Sequence, residues 1–394
     1  MDFSSTPELV YVGLIFGLFV IPRMLTRFRL PAGISAIFLG IGAGVWFPTL
    51  DKDVTLTMMA LFGITALFLF AGLDVDIQQM KKSWIILVQH VVISVILLAL
   101  VTWGLMHWWS LSFQIAGLVA LALLTPSCGF ILDSLDSFGL SEKDKFWVRS
   151  KAIATEIVAL TFMFFDLQAE TSQKLTVSLL GMAAMVLFVP LFFKFFLSVI
   201  APYAEGSEFA FLLMTAILCA IITRKLGAYY LIGAFFVGTA ARQFKKMLPP
   251  ETEIKTMGAM QLFASFFIPF YFFRAGMEIK LSDLNKEALI YGCLWFVAVV
   301  PVKIFFTALH RRITLKQPWT EGARVGSSLM PTLVFGLVIA GLLREKFQID
   351  ANIFGGVIIY TIMVTMLPGV VLTAKRVTVR ILHELPPIPT EPGK

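Results

Sequence analysis

Apolar residues run along this chain in long blocks, each closed by a charged cluster or by Gly and Pro. The blocks approach the ~20 residues that an α-helix needs to cross a bilayer. Thirteen can be read, over 8–24, 31–48, 54–73, 84–106, 112–134, 146–167, 174–200, 207–223, 228–242, 258–275, 287–309, 319–342 and 352–374. Helices satisfy their own backbone polar groups in lipid, where strand edges and loops do not. The pattern therefore predicts an all-α polytopic membrane protein with about 13 transmembrane helices, one membrane domain over 1–394.

Composition agrees and excludes the soluble classes. Of 394 residues, 58% are hydrophobic and only 14% charged, against roughly 25% charged in soluble domains. A surplus of 32 Lys+Arg over 25 Asp+Glu gives a net charge of +7. These basic residues form no run, so they predict no nucleic-acid partner and instead report orientation. With the N-terminus outside, Arg23, Arg27, Arg29, Lys81, Lys82, Arg242, Lys245, Lys246, Arg311, Arg312, Lys375 and Arg376 all fall on the inner side. The expected topology is N-out and C-in, with the protein in the cell (inner or plasma) membrane. The start, MDFSSTPELV, lacks the basic n-region of a cleavable signal, so the first segment is expected to remain as a helix. Cys128, Cys219 and Cys293 have no paired or metal-ligand spacing. No disulfide, resident metal or cofactor is expected.

The two halves resemble each other. AGLDV at 71–75 answers AGMEI at 275–279, and FLG at 38–40 answers FVG at 236–238. The third segment thus pairs with the tenth and the second with the ninth, which predicts two inverted six-helix repeats, 1–167 and 207–374. Segment 174–200 is then a linker helix and 375–394 a short cytoplasmic tail. Inverted repeats are a feature of many secondary transporters.

Polar groups at membrane depth locate the chemistry. Glu156 stands ten residues into its segment, roughly 15 Å deep at 1.5 Å per residue. An ionised acid there is costly without water, a cation or a base, so it marks a functional cavity, the alternative being a hydrogen-bonded structural glutamate. Lys303 is the matching buried base, the alternative being a lysine snorkelling to the inner face. A Lys303–Glu156 pair would answer to protons and to competing cations. Lys194 and Arg274 lie near helix ends and read as snorkelling. Thr125-Pro126-Ser127 interrupts the fifth segment and Met330-Pro331-Thr332 the twelfth, at corresponding places in the halves. Proline frees a carbonyl in mid-membrane, and such paired breaks point to crossed discontinuous helices 5 and 12 around a binding site. Glu156 and Lys303 would then compensate the exposed half-helix ends. His90, His107, His310 and His383 show no ligand spacing and read as structural or interfacial. No nucleophile–base pair appears at depth, so the chain is not expected to be an enzyme.

These residues resemble the cation:proton antiporter superfamily, in particular its thirteen-helix sodium/proton and potassium-efflux antiporters. The resemblance rests on LPAGISAIFLGIGAG (30–44), LFLFAGLDVDI (67–77), ALLTPSCGFILDSL (122–135), KAIATEIVAL (151–160), LIGAFFVG (231–238), PFYFFRAGMEIKL (269–281) and the lysine of PVKIFF (301–306). It implies a homodimer embedded in lipid, with a dimerisation domain and a mobile core that moves as an elevator. By the resemblance the ion-binding carboxylate is Glu156, its polar companion Thr155, the helix-break residues Thr125 and Pro126, and the membrane lysine Lys303. Ser127, Pro331 and Thr332 complete the two breaks. The chain departs from the family in having Glu156 for the usual aspartate, Thr155 for an amide or second acid, and Leu333-Val334-Phe335 where Gly-Glu-Phe is common. With about twenty residues after Ala374, gating by a nucleotide bound to this chain is not expected. The expected activity is exchange of Na+ or K+ for H+, with Glu156 binding either ion in turn. A sodium-coupled organic-anion symporter and a channel-like or signalling protein that has lost exchange are the rival readings.

Overall fold

A computed structural model of the protein describes residues 7–28, 30–75, 83–168, 172–226 and 231–372. The loop lysines Lys81 and Lys82, Arg29 and the tail 375–394 lie outside the described residues. Every regular element described is helical. In chain order they are α1 (Pro7–Leu25), α2 (Ala32–Trp46), α3 (Val54–Leu73), α4 (Trp84–Trp109), α5 (Phe113–Leu124), α6 (Cys128–Ser134), α7 (Glu142–Gln168) and α8 (Ser172–Phe195). Then come α9 (Glu208–Lys225), α10 (Leu231–Lys245), α11 (Pro250–Met277), α12 (Lys286–Leu315), α13 (Trp319–Ser328), α14 (Leu333–Phe347) and α15 (Ala351–Val371).

Among the described residues, eight helices are long and apolar enough to cross a membrane, or nine if the bent pair α13–α14 is one span. The protein is therefore an integral, multi-pass membrane protein. The remaining predicted segments fall short for visible reasons. Helices α2 and α10 have 15 residues each, α9 carries Glu208, Arg224 and Lys225 at its ends, and α7 is studded with charge from Glu142 to Lys151. A helix shielded by protein needs less hydropathy than one facing lipid.

Burial sorts centre from periphery. Only 11% of the first span and 22% of the run Gln173–Tyr203 are buried, against 78% of Phe113–Ile131. The first two present side chains such as Phe16, Leu187 and Phe188 outward, as lipid-facing helices do, while α5 and α6 form the middle. Helix α4 has exposed Trp84 near one end and Trp108 near the other, where indole rings favour the bilayer interface.

Two reciprocal glycine contacts bring the repeated motifs together. A Cβ on Gly72 of α3 would lie 2.1 Å from the Phe235 carbonyl oxygen of α10, and one on Gly238 of α10 would lie 2.1 Å from the Leu69 oxygen of α3. Likewise a Cβ on Gly40 of α2 would lie 2.0 Å from the Phe273 oxygen of α11, and one on Gly276 of α11 would lie 2.3 Å from the Ile37 oxygen of α2. Small residues let membrane helices approach backbone to backbone. The glycines of FLG, FVG, AGLDV and AGMEI are thus the points where α2 crosses α11 and α3 crosses α10.

Candidate ion-binding site

Two chain breaks make the centre of the molecule. Helix α5 stops at Leu124 with Thr125 extended at φ −77° and ψ 113°, because the ring of Pro126 disfavours helical geometry in the residue before it. The chain resumes as α6 at Cys128. Helices α13 and α14 meet at a 52° bend across Leu329–Thr332, which contains Pro331. The prolines at 22, 190, 269, 301 and 368 remain inside helices. What sets 126 and 331 apart is a hydroxyl residue on their flanks, of which Ser127 takes up a backbone N–H of the other break.

The breaks bond to each other. The Ser127 N–H donates to the Pro331 carbonyl at 2.8 Å, and the Val334 N–H at the start of α14 donates to Ser127 Oγ at 2.8 Å. Ser127 thus serves as a cap across the gap for one of the orphan donors of a helix N-terminus. That bond uses one of the two acceptor positions of the Ser127 hydroxyl oxygen. At the other side of the break, the last turn of α5 leaves carbonyls unpaired. The Leu123 carbonyl accepts from Lys303 Nζ of α12 at 3.2 Å and from Tyr360 Oη of α15 at 2.8 Å.

Glu156 on α7 is 2% exposed, and its Oε2 has no hydrogen-bond partner. The Cys128 backbone N–H, the first of α6, is directed at this carboxylate, and Asp74 at the C-terminus of α3 is near enough to repel it. Thr125 and Thr332, both fully buried, have hydroxyls without partners. Unsatisfied carboxylate and hydroxyl oxygens at one pair of breaks are the donor set a hard cation takes. Among the described residues no group of three or more His, Cys, Asp or Glu could hold a resident metal.

Two expectations are corrected. Lys303 is 6% exposed, so it does not snorkel, and it is bonded to Leu123 rather than paired with Glu156. It meets the helix end, not the acid. Arg274 also has a specific role at its helix end. It forms an ion pair with Asp51 while bonding that residue's backbone, and it lies 3.6 Å from Glu278. Thr155 is held by α7 itself and by α4. Its hydroxyl donates to the Lys151 carbonyl at 2.9 Å and lies 3.0 Å from Ser94 Oγ of α4.

A pocket of about 640 Å³ opens between α3, α10, α11 and the start of α6, lined among others by Asp74, Gly129, Arg149, Arg242 and Glu253. Gly129 follows the residue whose N–H reaches Glu156, so the pocket approaches the acid from the face bearing Arg242 and Lys245.

Several residues escaped the sequence reading. Tyr360 sits in an apolar helix with no charge to flag it. Asp74 was legible only as part of AGLDV. Lys151 precedes Thr155 by four residues, the spacing that puts both on one helix face, and that was the available signal. His90 and His310 join Trp147, Lys151 and Arg311 in a buried cluster, with ring centroids 4.9 Å apart for the two histidines and 4.5 Å for His90 and Trp147. Arg311 lies over the same indole at 4.9 Å and pairs with Asp144.

A buried carboxylate with one oxygen left without a partner, beside two interlocked helix breaks, belongs to the class of membrane ion carriers. The sequence pattern of the transmembrane sodium/hydrogen exchanger family matches residues 14–375, and the chain belongs to that family. It is 22% identical over 368 residues to the probable Na(+)/H(+) antiporter 3 of Methanocaldococcus jannaschii, covering 90% of this chain and 92% of that one. It is 19% identical over 358 residues to the Na(+)/H(+) antiporter of Enterococcus hirae, covering 88% and 92%. The fold is shared with the sodium proton antiporter MjNhaP1 of Methanocaldococcus jannaschii. Its structure at pH 8 superposes with a TM-score of 0.65 at 13% identity, covering 94% of this chain and 97% of the other. An electron-microscopy structure of MjNhaP1 gives a TM-score of 0.70 at 14% identity, covering 94% and 95%.

Proposed function

We propose that this exchanger trades a monovalent cation, Na+ or K+, for a proton at Glu156 by alternating access. The observation that carries the reading is the Glu156 Oε2, buried and without a partner beside Cys128 and the break it opens. A charge so placed needs company, and a proton and a cation are the two alternatives that one carboxylate can hold in turn. Occupancy by one then excludes the other. Thr125 and Thr332 supply neutral oxygens, and the 640 Å³ pocket supplies the approach from one face. That face is the cytoplasmic one, with the N-terminus outside.

The same reading takes the chain as thirteen spans in two inverted repeats, with α5–α6 and α13–α14 as the crossed discontinuous helices and the lipid-facing periphery offering a homodimer contact. The reciprocal contacts of Gly40 with α11 and Gly238 with α3 support it, since exchanging the repeats maps one crossing onto the other. Trading one cation for one proton at a single carboxylate is electroneutral.

The test is flux in proteoliposomes of the purified protein. Internal pH should change on adding Na+ or K+, and the change should vanish in Glu156→Gln while the protein stays folded. Undiminished flux in that variant removes Glu156 from the mechanism.

A further inference from the structure

Beside the breaks, on the side of α7 that carries Lys151, lies a second and separate cavity. It has a volume of about 30 Å³ and is lined by Ser94, Lys151, Thr155, Lys303 and Thr307 together with apolar residues and Pro126. That exceeds the roughly 10–15 Å³ that one water-sized guest requires, and it suits a guest of one or a few atoms. No carboxylate is among its lining residues. The lysines come from different helices, α7 and α12, and Lys151 is near enough for Lys303 to feel its charge.

The Lys151 ammonium is the unexplained group. The residue is 7% exposed, and its Nζ has no hydrogen-bond partner. The face of Trp147, 5.6 Å away, is a modest compensation for a buried cation. Lys303 gives one of its three N–H groups to the Leu123 carbonyl. Two ammoniums therefore bring unsatisfied donors to one small space, and Thr307 brings a buried hydroxyl to the same wall. Buried charge of one sign persists when an opposite charge accompanies it. Among the residues that line this cavity there is none.

We propose that this cavity is a binding site for a single small inorganic anion, of which chloride is the commonest, held by Lys151 and Lys303. The guest completes the donor set and cancels the repulsion between the two lysines. It lies one residue along α7 from Glu156, so it also sets the potential at that acid, whatever the acid binds. The site does not depend on the exchange reaction, and its test uses none.

The purified protein is melted in choline chloride, choline bromide and choline gluconate at equal ionic strength. Halide should raise the melting temperature by a few degrees over gluconate, along a saturating concentration curve, because a ligand of the native state stabilises it by mass action. Lys151→Met should lose the halide response and, having lost an unpaired buried charge, melt no lower than wild type in gluconate. Thr307→Val keeps both lysines and should shift the halide midpoint to higher concentration, which provides a second reading if Lys151→Met does not fold. Crystals grown in bromide should show an anomalous peak between the two Nζ atoms. A wild-type response equal in gluconate and halide, a halide response retained in Lys151→Met, or a bromide-free cavity would each overturn the proposal.

Discussion

Lys303 donates to the carbonyl oxygen of Leu123 across 180 residues of chain, at 3.2 Å. The same oxygen accepts from Tyr360 at 2.8 Å. A helix that ends inside the protein thus has its exposed negative end met by one cation and one neutral hydroxyl from two other helices. Replacing Tyr360 with Phe leaves the lysine in place and should cost about 0.5–1.5 kcal/mol, the usual worth of one hydrogen bond. Replacing Lys303 with Met leaves the tyrosine. Removing both orphans the carbonyl, which adds a desolvation penalty of about 1–3 kcal/mol. The double variant should therefore lose more stability than the two singles combined, a coupling that a double-mutant cycle of unfolding free energies detects. Simple additivity would show that the two donors do not share an acceptor.

Ser127 presents a different case. Its hydroxyl oxygen accepts from the Val334 N–H and its N–H donates to the Pro331 carbonyl, so it ties the two breaks together. Ser127→Ala should cost about 1 kcal/mol, as loss of a helix cap does, and should leave the cation concentration for half-maximal flux within about twofold of wild type. Thr125→Val, which removes a partnerless buried hydroxyl, should instead raise that concentration several-fold with little loss of melting temperature. Measuring both variants by flux and by thermal unfolding separates the two roles.

The contrast shows what sequence could and could not disclose. Blocks of apolar residues located the helices, since lipid imposes both their length and their composition. The breaks at 125–127 and 330–332 were visible because proline acts on the backbone of its own neighbours. Glu156 stood out because a carboxylate among IATEIVAL is costly wherever it points. Direction was hidden. Thr155 and Glu156 are adjacent in sequence, yet about 100° separates successive side chains around a helix. One accordingly lines the cavity of Lys151 and the other faces Cys128. Partner choice was hidden too, as Lys303 might equally have met an acid or a carbonyl until the three-dimensional crossing of α12 and α5 was known.

Asp53 offers a test in the loop region, outside the spans. Its carboxylate accepts from the Tyr11 hydroxyl at 2.5 Å and from the Leu56 N–H at 2.7 Å, capping α3. The Tyr11 bond first, and then the cap, hold its pKa below the ordinary value of 3.8. A carboxylate with a depressed pKa contributes stability that is fully present above its unfolded pKa and is lost as pH falls through the folded one. Asp53→Ala should therefore melt below wild type at neutral pH, by about 1 kcal/mol as for other caps. The deficit should hold down to about pH 4 and narrow below it. A deficit that stays constant from neutrality to pH 3, or widens in acid, contradicts the assignment of the cap to the charged form.

The crossing of α3 and α10 gives the sharpest structural prediction. A methyl group at Gly72 would lie 2.1 Å from the Phe235 oxygen, and one at Gly238 2.1 Å from the Leu69 oxygen. Both obstacles are backbone, so no rotamer change relieves the clash and the helices must separate. Gly72→Ala gains about 0.5–1 kcal/mol of helix propensity over glycine, while overpacking a tight contact costs about 1–3 kcal/mol. The net should be destabilising, read as a lower melting temperature in detergent. At Gly258, where a Cβ meets nothing within 4 Å, only the propensity gain applies, so Gly258→Ala should melt at or above wild type. The opposite signs come from one substitution chemistry at two glycines. Equal melting temperatures would mean that α3 and α10 are not in backbone contact at Gly72.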